Sequence, residues 1–503
     1  MHLLLVLIFV LICAYWYLTR THNYWVKQNV PTMPGCVPGF GHVLPSLLMR
    51  ETLKDLADRA YRGFADSSVV GFYFMRKPMI VLRDPNLVKH VLQSDFASFR
   101  NGCKINEKAD PLMAKNPFFI YDLEAWRKSR ARVVSHLSGK KLSHLFVIAQ
   151  NVCAKMMDFI ERRLGESRDA EYEVELKKLF VRYTGEMVAN SAFGVEGQSF
   201  ADERHPQSFH VVAESLFVPN FVNVVKQTII TFIPEAAAIL NASMIPRSAE
   251  DFFRNMLLGI LKHRKRQSQT SKPNDFLQFV LDTNTQDDVE SIIADVIIYH
   301  ADVYETSSST LAFFMYQLSR HPEEQEKIRQ HVRDATRTTG GGQLTYEALK
   351  AMNYLEQAVY ELLRMIPPVP ALLKRCVQNT TLVSQDGLEC RLRPGDGVLI
   401  PVLGLQNDPK HWDEPEAFRP ERFGPEQLAE RHKYLFLAFG EGPRMCVGMR
   451  LGLMLVKLAA ASLLLNYSIE SSAKSKNPLE MDRTAFFAYA KDGVWARFRK
   501  LPL

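Results

Sequence analysis

The stretch "FGEGPRMCVG", residues 439 to 448, sets one cysteine among three glycines, a proline and an arginine. Gly440, Gly442 and Gly448 let the backbone take positive φ or approach another group closely, and Pro443 stiffens the loop. The following "GMRLGLMLVKLAAASLLL" reads as a helix, which places Cys446 just before or at a helix N-terminus. Backbone amides and the helix dipole favour thiolate there. A thiolate can serve as nucleophile, redox switch or metal ligand. A nucleophile calls for a histidine partner; no local signature supplies one, and a spatial partner stays open. A redox thiol often has a resolving cysteine, and none is near. A single soft ligand beside Arg444 also suits axial ligation of haem iron, with Arg444 pairing a propionate. The loop alone leaves these readings side by side.

A second constellation is "HADVYETSSST", from His300 to Thr310, inside an apolar helical stretch expected over Ser291 to Leu318. Asp302 and Thr306 are four apart and share a face, with Glu305 alongside. The hydroxyl run from Thr306 to Thr310 can bond backbone carbonyls and bend a helix, or form a solvent-facing stripe. Further along, Glu361 and Arg364 in "ELLR" are spaced as a helical pair, ordinarily a surface pair of small energy.

Taken together, these residues resemble the cytochrome P-450 monooxygenases. Phe439, Gly442, Arg444, Cys446 and Gly448 fill that family's F-x-x-G-x-R-x-C-x-G signature. Glu361 and Arg364 match its E-x-x-R pair, and Arg422 in "FRPERF" matches the residue that completes an ion-pair network with them. Trp126 and Arg130 in "WRKSR", and Arg375 in "LLKRC", match contacts to the haem propionates. The correspondence spans essentially the full length. It departs from the family in the long helix, where [AG]-G-x-[DE]-T is usual: Asp302 replaces a small residue and Val303 replaces the glycine that leaves room beside the iron. Met445 is a milder departure.

The resemblance implies haem b (iron protoporphyrin IX) with Cys446 as the metal ligand, and Arg444, Phe439, Trp126, Arg130 and Arg375 around the cofactor. Thr306, Glu305 and Asp302 are the candidate catalytic residues, with Glu305 and Thr306 as the proton-delivery pair. It also implies a hydrophobic small-molecule substrate, a xenobiotic, hormone or lipid, with local wording most like the microsomal insect enzymes. Electrons would come from NADPH through NADPH-cytochrome reductase, with cytochrome b5 as an additional partner. Arg127, Lys128, Lys140 and Lys141 offer that acidic partner a landing surface or form a solvated helix face. By family position, "NPFFIYDL", Phe209, Phe217, Phe221, Phe232, Val369 to Leu373 and "TAFFAYA" would line the substrate pocket, although core packing explains the same letters. Two other classes keep the haem site: a haem-thiolate isomerase or dehydratase, which Val303 keeps open, and a haem-binding protein without turnover.

The elements that must hold these groups are mainly α with small β-sheets, the cytochrome P-450 fold preceded by one N-terminal membrane-anchor helix. "VVGFYF" and "PMIVL" predict an early hairpin, and Asp386-Gly387 and Asp492-Gly493 predict two more. Leu3 to Leu18, "LLLVLIFVLICAYWYL", is a charge-free run ending in an aromatic belt, and Arg20 and Lys27 follow it. That charge asymmetry predicts an uncleaved anchor with the body in the cytosol, which for the microsomal members means the endoplasmic reticulum membrane. Three segments follow: the anchor over 1–20, a proline-rich connector over 21–45 and a haem-thiolate catalytic domain over 46–503. Seven scattered cysteines without a CxxC pair argue for a reducing compartment and against a structural zinc site. The excess of 62 basic over 55 acidic residues fits an anionic membrane or acidic partner, and the chain has no basic arm for nucleic acid.

Overall fold

The N-terminal apolar run forms α1 (His2–Thr19), whose mean hydropathy of 2.2 accompanies no burial of its side chains. Eighteen residues rise about 27 Å, close to the roughly 30 Å hydrocarbon core of a bilayer. The Arg20 and Arg76 guanidinium groups lie 5.0 and 3.8 Å from the Tyr17 ring centroid, which puts cations and aromatic rings together at the helix end. The computed structural model describes residues 2–48, 50–201, 208–214, 221–266, 275–283, 289–482, 485 and 487–502.

Among these, the strands are β1 (Val69–Phe74), β2 (Lys77–Leu82), β3 (Glu171–Glu175), β4 (Leu372–Arg375), β5 (Thr380–Val383), β6 (Glu389–Leu392), β7 (Gly397–Ile400), β8 (Tyr467–Ser471) and β9 (Trp495–Lys500). The helices that matter for the site are α2 (Leu123–His136), α3 (Gly139–Glu166), α4 (Leu176–Val188), α5 (Val289–Arg320), α6 (Asn353–Met365) and α7 (Met449–Asn466). The chain divides into two compact units of interleaved segments. One comprises Met1–Lys104, Val369–Glu416 and Arg431–Cys446; the other comprises Ile105–Pro368, Ala417–Glu430 and Val447–Leu503.

In the first unit, β1, β2, β7 and β4 form a sheet in that order, and β5 pairs with β6 across the Asp386-Gly387 turn. The β1/β2 hairpin forms as expected, with Phe74 opposite Lys77. The proline-rich connector is held along β1: Gly71 N–H donates to Pro31 O at 2.7 Å, and His42 N–H to Tyr73 O at 2.9 Å. A Cβ on Gly71 would lie 2.6 Å from Cγ of the fully buried Trp25, so this strand position admits only glycine. The connector is stiff because its backbone is spent on the sheet.

In the second unit, α5 packs against α4, α6 and α7, and β3, β9 and β8 form an antiparallel sheet in that order. α7 passes a length and hydropathy test for a membrane span, yet its apolar side chains are mostly buried. Each fully buried leucine stabilises by about 1.5–3 kcal/mol, so α7 is a core helix.

The expected Asp492-Gly493 hairpin is a correction. β8 and β9 do pair, but residues 472–494 connect them. Val494 N–H donates to Glu175 Oε1 and Leu176 N–H to Val494 O, so the turn docks the chain against the end of β3.

Candidate functional site

The Cys446 loop is fixed by its own backbone. Cys446 N–H donates to Phe439 O at 2.7 Å, Gly440 N–H to Leu437 O at 2.8 Å, and Leu437 N–H to the Gln406 side chain at 2.7 Å. Gly440 and Gly442 have φ of +66° and +77°. The two glycines serve different ends. A Cβ on Gly442 would fall 2.1 Å from Leu92 O, so that glycine closes the loop against the protein. On Gly440 it would meet only Met445 Cα at 3.8 Å and Leu372 Cδ1 at 4.0 Å, so that face is open. The Cys446 thiol is exposed, whereas Cys153, Cys376 and Cys390 are buried, with thiols that burial pushes up to about 12, 11 and 12.

Beside the loop, Asn101 joins the two expected propionate arginines. Its backbone O accepts from Arg375 N–H at 2.9 Å, and its side-chain O accepts from Arg444 Nη2 at 3.3 Å. Lys374 is buried next to them, and its amine is lowered to about 8, chiefly by burial and then by the Arg444 charge. Cations concentrated here suit a dianionic porphyrin edge. A soft exposed thiol, an open backbone face and basic side chains fit haem. Neither Asn101 nor Lys374 was visible as a site residue in the sequence, because nothing local ties them to Arg444.

Glu361 and Arg364 are both fully buried, which overturns the surface-pair reading. Arg364 Nε and Nη2 donate to Glu361 Oε2 and Oε1 at 2.8 and 3.0 Å. Arg422 Nε and Arg419 N–H add bonds to Oε1 at 3.1 and 3.0 Å. The carboxylate is satisfied on every side, as a buried charge must be.

α5 is unbroken from Val289 to Arg320. Ser307, Ser308, Ser309 and Thr310 are buried, so the solvent-stripe reading of the hydroxyl run is corrected. Thr306 Oγ1 donates to Asp302 O at 2.7 Å, Ser308 Oγ to Tyr304 O at 2.7 Å and Thr310 Oγ1 to Thr306 O at 2.8 Å. These bonds let the helix carry hydroxyls through its core. Glu305 is buried against Lys177 of α4, with Nζ 2.8 Å from Oε1. The same Nζ donates to Ser308 Oγ, Ser309 Oγ and Glu305 O at 2.8, 2.6 and 3.2 Å. Burial lowers the Lys177 amine and the Glu305 charge opposes that. Lys177 is a functional neighbour that sequence reasoning missed; 128 residues separate it from Glu305.

Asp302 has two characters at once. By surface area its side chain is exposed, yet protein surrounds the carboxyl at interior density, and burial pushes it up to about 7, opposed by a hydrogen bond from the Asn116 side chain.

Trp126 is buried on α2, with the Arg130 guanidinium 5.9 Å from its ring. Arg127, Lys128 and Lys140 are exposed, Arg127 pairing with Glu124. Thus Cys446, Phe439, Arg444 and Arg375 are gathered in one unit, and Trp126, Arg130, Asp302, Glu305 and Thr306 belong to the other. Of the expected pocket aromatics, Phe209 packs among Phe193, Phe253 and His300 as core. Phe217, Thr484 and Phe486 lie outside the described residues, as does the side chain of Phe221.

A family profile described as Cytochrome P450 matches residues 31–494. Probable cytochrome P450 28d1 of Drosophila melanogaster is 29% identical to this chain, covering 98% of each. Cytochrome P450 6B7 of Helicoverpa armigera is 28% identical over 97% of this chain and 96% of its own length. Cytochrome P450 9e2 of Blattella germanica is 27% identical over 97% and 96%. End-to-end insect relatives, a matching profile and a loop built to present one thiol lead to one conclusion: the chain belongs to the cytochrome P450 family of haem-thiolate monooxygenases.

Proposed function

We propose that this enzyme inserts one oxygen atom from O2 into a C–H bond of a hydrophobic small molecule, a xenobiotic, hormone or lipid. The observation that carries the reading is the exposed Cys446 thiol on a loop locked by the bond from its own N–H to Phe439 O. Haem b would be held by Cys446 Sγ, with Arg444, Arg375, Trp126 and Arg130 at its propionates and Phe439 beside the thiolate. When bound, haem supplies oxygen activation, which thiolate ligation promotes by favouring O–O cleavage. The chain's own residues move protons. Thr306 presents a hydroxyl on α5, and Glu305, bonded to Lys177 and Ser309, is the acid that recharges it. Apolar walls hold the substrate and exclude water. Electrons arrive from NADPH through a membrane-bound reductase, with cytochrome b5 as a second donor, at the exposed bases Arg127, Lys128 and Lys140. α1 anchors the enzyme in the endoplasmic reticulum membrane ahead of the connector over 21–45, with the catalytic region over 46–503 in the cytosol.

Val303 supports a second reading, a haem-thiolate isomerase or dehydratase that needs no reductase. It stands half-buried where the family motif has glycine, on a helix without interruption. Reconstitution of the full chain with reductase separates the two. A monooxygenase consumes NADPH and O2 in proportion to hydroxylated product, and Val303→Gly raises that proportion severalfold. Turnover without NADPH establishes the second reading. Cys446→Ser abolishes turnover and the red-shifted carbon monoxide band of the reduced protein; retention of both overturns the haem-thiolate assignment.

A further inference from the structure

Just past α1 the chain builds a basic hollow. A cavity of about 470 Å³ lies between the turn over Val26–Gln28 and the β5/β6 hairpin, with Lys27, Arg391 and Arg393 in its wall beside Tyr24, Asn379 and Thr381. The three bases are exposed. Among the described residues Lys27 and Arg393 form no ion pair, and Arg391 has only Glu389, 4.0 Å away, both side chains standing mostly in solvent. Asp396 is buried and already occupied, with the Tyr24 hydroxyl at 2.9 Å and Arg393 N–H donating to it at 2.8 Å. Three bases therefore face two carboxylates, one of them enclosed.

The wall is fixed by more than side chains. Arg391 N–H donates to Gln28 Oε1 at 2.8 Å, and the Tyr24 hydroxyl lies 3.1 Å from Arg391 O, so turn and hairpin are joined at the backbone of β6. The Tyr24 ring lies 5.5 Å from the Arg393 guanidinium and holds that cation at the cavity. Asn379 and Thr381 are exposed beside them, and their side chains make no hydrogen bond among the described residues. Cations with an uncommitted amide and hydroxyl suit a phosphate ester that carries hydroxyl groups.

The position of the cavity says where such an ester comes from. Gly39 N–H donates to Leu18 O at 3.3 Å and the Arg76 guanidinium lies 3.8 Å from the Tyr17 ring centroid, so the end of α1 is docked on the unit that contains the cavity. The link runs in consecutive turns, His22 N–H to Thr19 O at 2.8 Å and Tyr24 N–H to Thr21 O at 3.1 Å, and five residues span at most about 18 Å even when extended. With α1 in a bilayer, these bases meet the headgroup layer and the negative potential of the cytoplasmic leaflet.

We propose that this cavity binds the headgroup of a hydroxyl-rich anionic phospholipid, of the phosphatidylinositol type. The inference rests on the membrane-anchor reading of α1 and adds a ligand to it. The phosphodiester pairs with Lys27, Arg391 and Arg393, and the inositol hydroxyls bond to Asn379 and Thr381. The choline of a neutral lipid brings its own cation against that wall and is disfavoured.

The test uses the full-length haem-loaded protein in phosphatidylcholine nanodiscs, so that α1 keeps its bilayer. The probes are dibutyryl-phosphatidylinositol and dibutyryl-phosphatidylcholine, whose chains are too short to enter the disc, and binding is read by titration calorimetry. The inositol lipid is expected to bind at a single site, at least about tenfold more tightly than the choline lipid, one tenfold step corresponding to about 1.4 kcal/mol. Arg393→Gln should weaken it about fivefold, whereas Lys410→Gln, which removes an exposed base of the same unit outside the cavity, should leave it unchanged. Tyr24→Phe keeps every charge and should weaken it about threefold. Equal binding of the two lipids, or an affinity that Arg393→Gln lowers no more than Lys410→Gln does, overturns the inference. Inorganic phosphate binding as tightly as the inositol lipid also overturns it, by moving the ligand from membrane to solution. Alkaline carbonate extraction of the protein from vesicles separates the two failures. Retained protein without inositol preference loses only the headgroup site; released protein removes the anchor reading as well.

Discussion

Asp302 and Glu305 are three residues apart on one helix, yet the protein treats them in opposite ways. Around Glu305 it places a lysine and Ser309, giving a buried charge its partners from within. Around Asp302 it supplies density and a single amide, and leaves the carboxyl near neutrality. The difference separates a carboxylate that the fold needs from one the fold merely tolerates.

Removing the lysine strikes that contrast hardest. Lys177→Met leaves the buried Glu305 without its cation, and unfolding in urea should show a loss of about 3–5 kcal/mol. Adding Glu305→Leu should restore most of it, because an apolar pair of similar volume replaces the ion pair. A neutral Lys177→Met would show that both carboxylates are merely tolerated. The next effect has the opposite sign. The Asp302 carboxyl is near 7 in the folded protein and near the ordinary carboxylate value when unfolded, so the folded state holds the proton more tightly. Its contribution therefore favours folding at low pH and is lost as pH rises through 7. Asp302→Asn should raise Tm by a few degrees at pH 8.5, and by less at pH 5.5. A gain independent of pH would mean that Asp302 is not titrating. Asn116→Ala has the smallest effect. It removes the donor that favours the charged form, so the Asp302 midpoint moves up and stability falls by about 1 kcal/mol. The midpoint can be followed by the pH dependence of Tm.

What could be read in the sequence was governed by distance along the chain. The Cys446 loop was legible because the glycines, the proline and the helix start lie within a dozen residues, and local sterics dictate the turn. Glu361 and Arg364 were legible as a pair by helical spacing, but their burial was not, since it depends on Arg419 and Arg422 some 60 residues away. Lys177 was invisible for the same reason. The hydroxyl run of α5 misled because serine and threonine look solvent-seeking by composition, whereas each can return its hydroxyl to the preceding turn and become compatible with a core. Asp492-Gly493 carried a true turn signal whose partner was the end of β3, a strand the helical pattern around it concealed.

The order of segments in the two units has a consequence for biosynthesis. Met1–Lys104 emerge first, but the unit they belong to also requires Val369–Glu416 and Arg431–Cys446. At about 5–20 residues per second, the nascent chain waits on the order of tens of seconds for the rest of that unit to leave the ribosome. During that interval β1 and β2 lack β7 and β4. The edge of β2 that β7 covers in the finished sheet is exposed until then, and the thiol that receives the cofactor is the last residue to complete its unit.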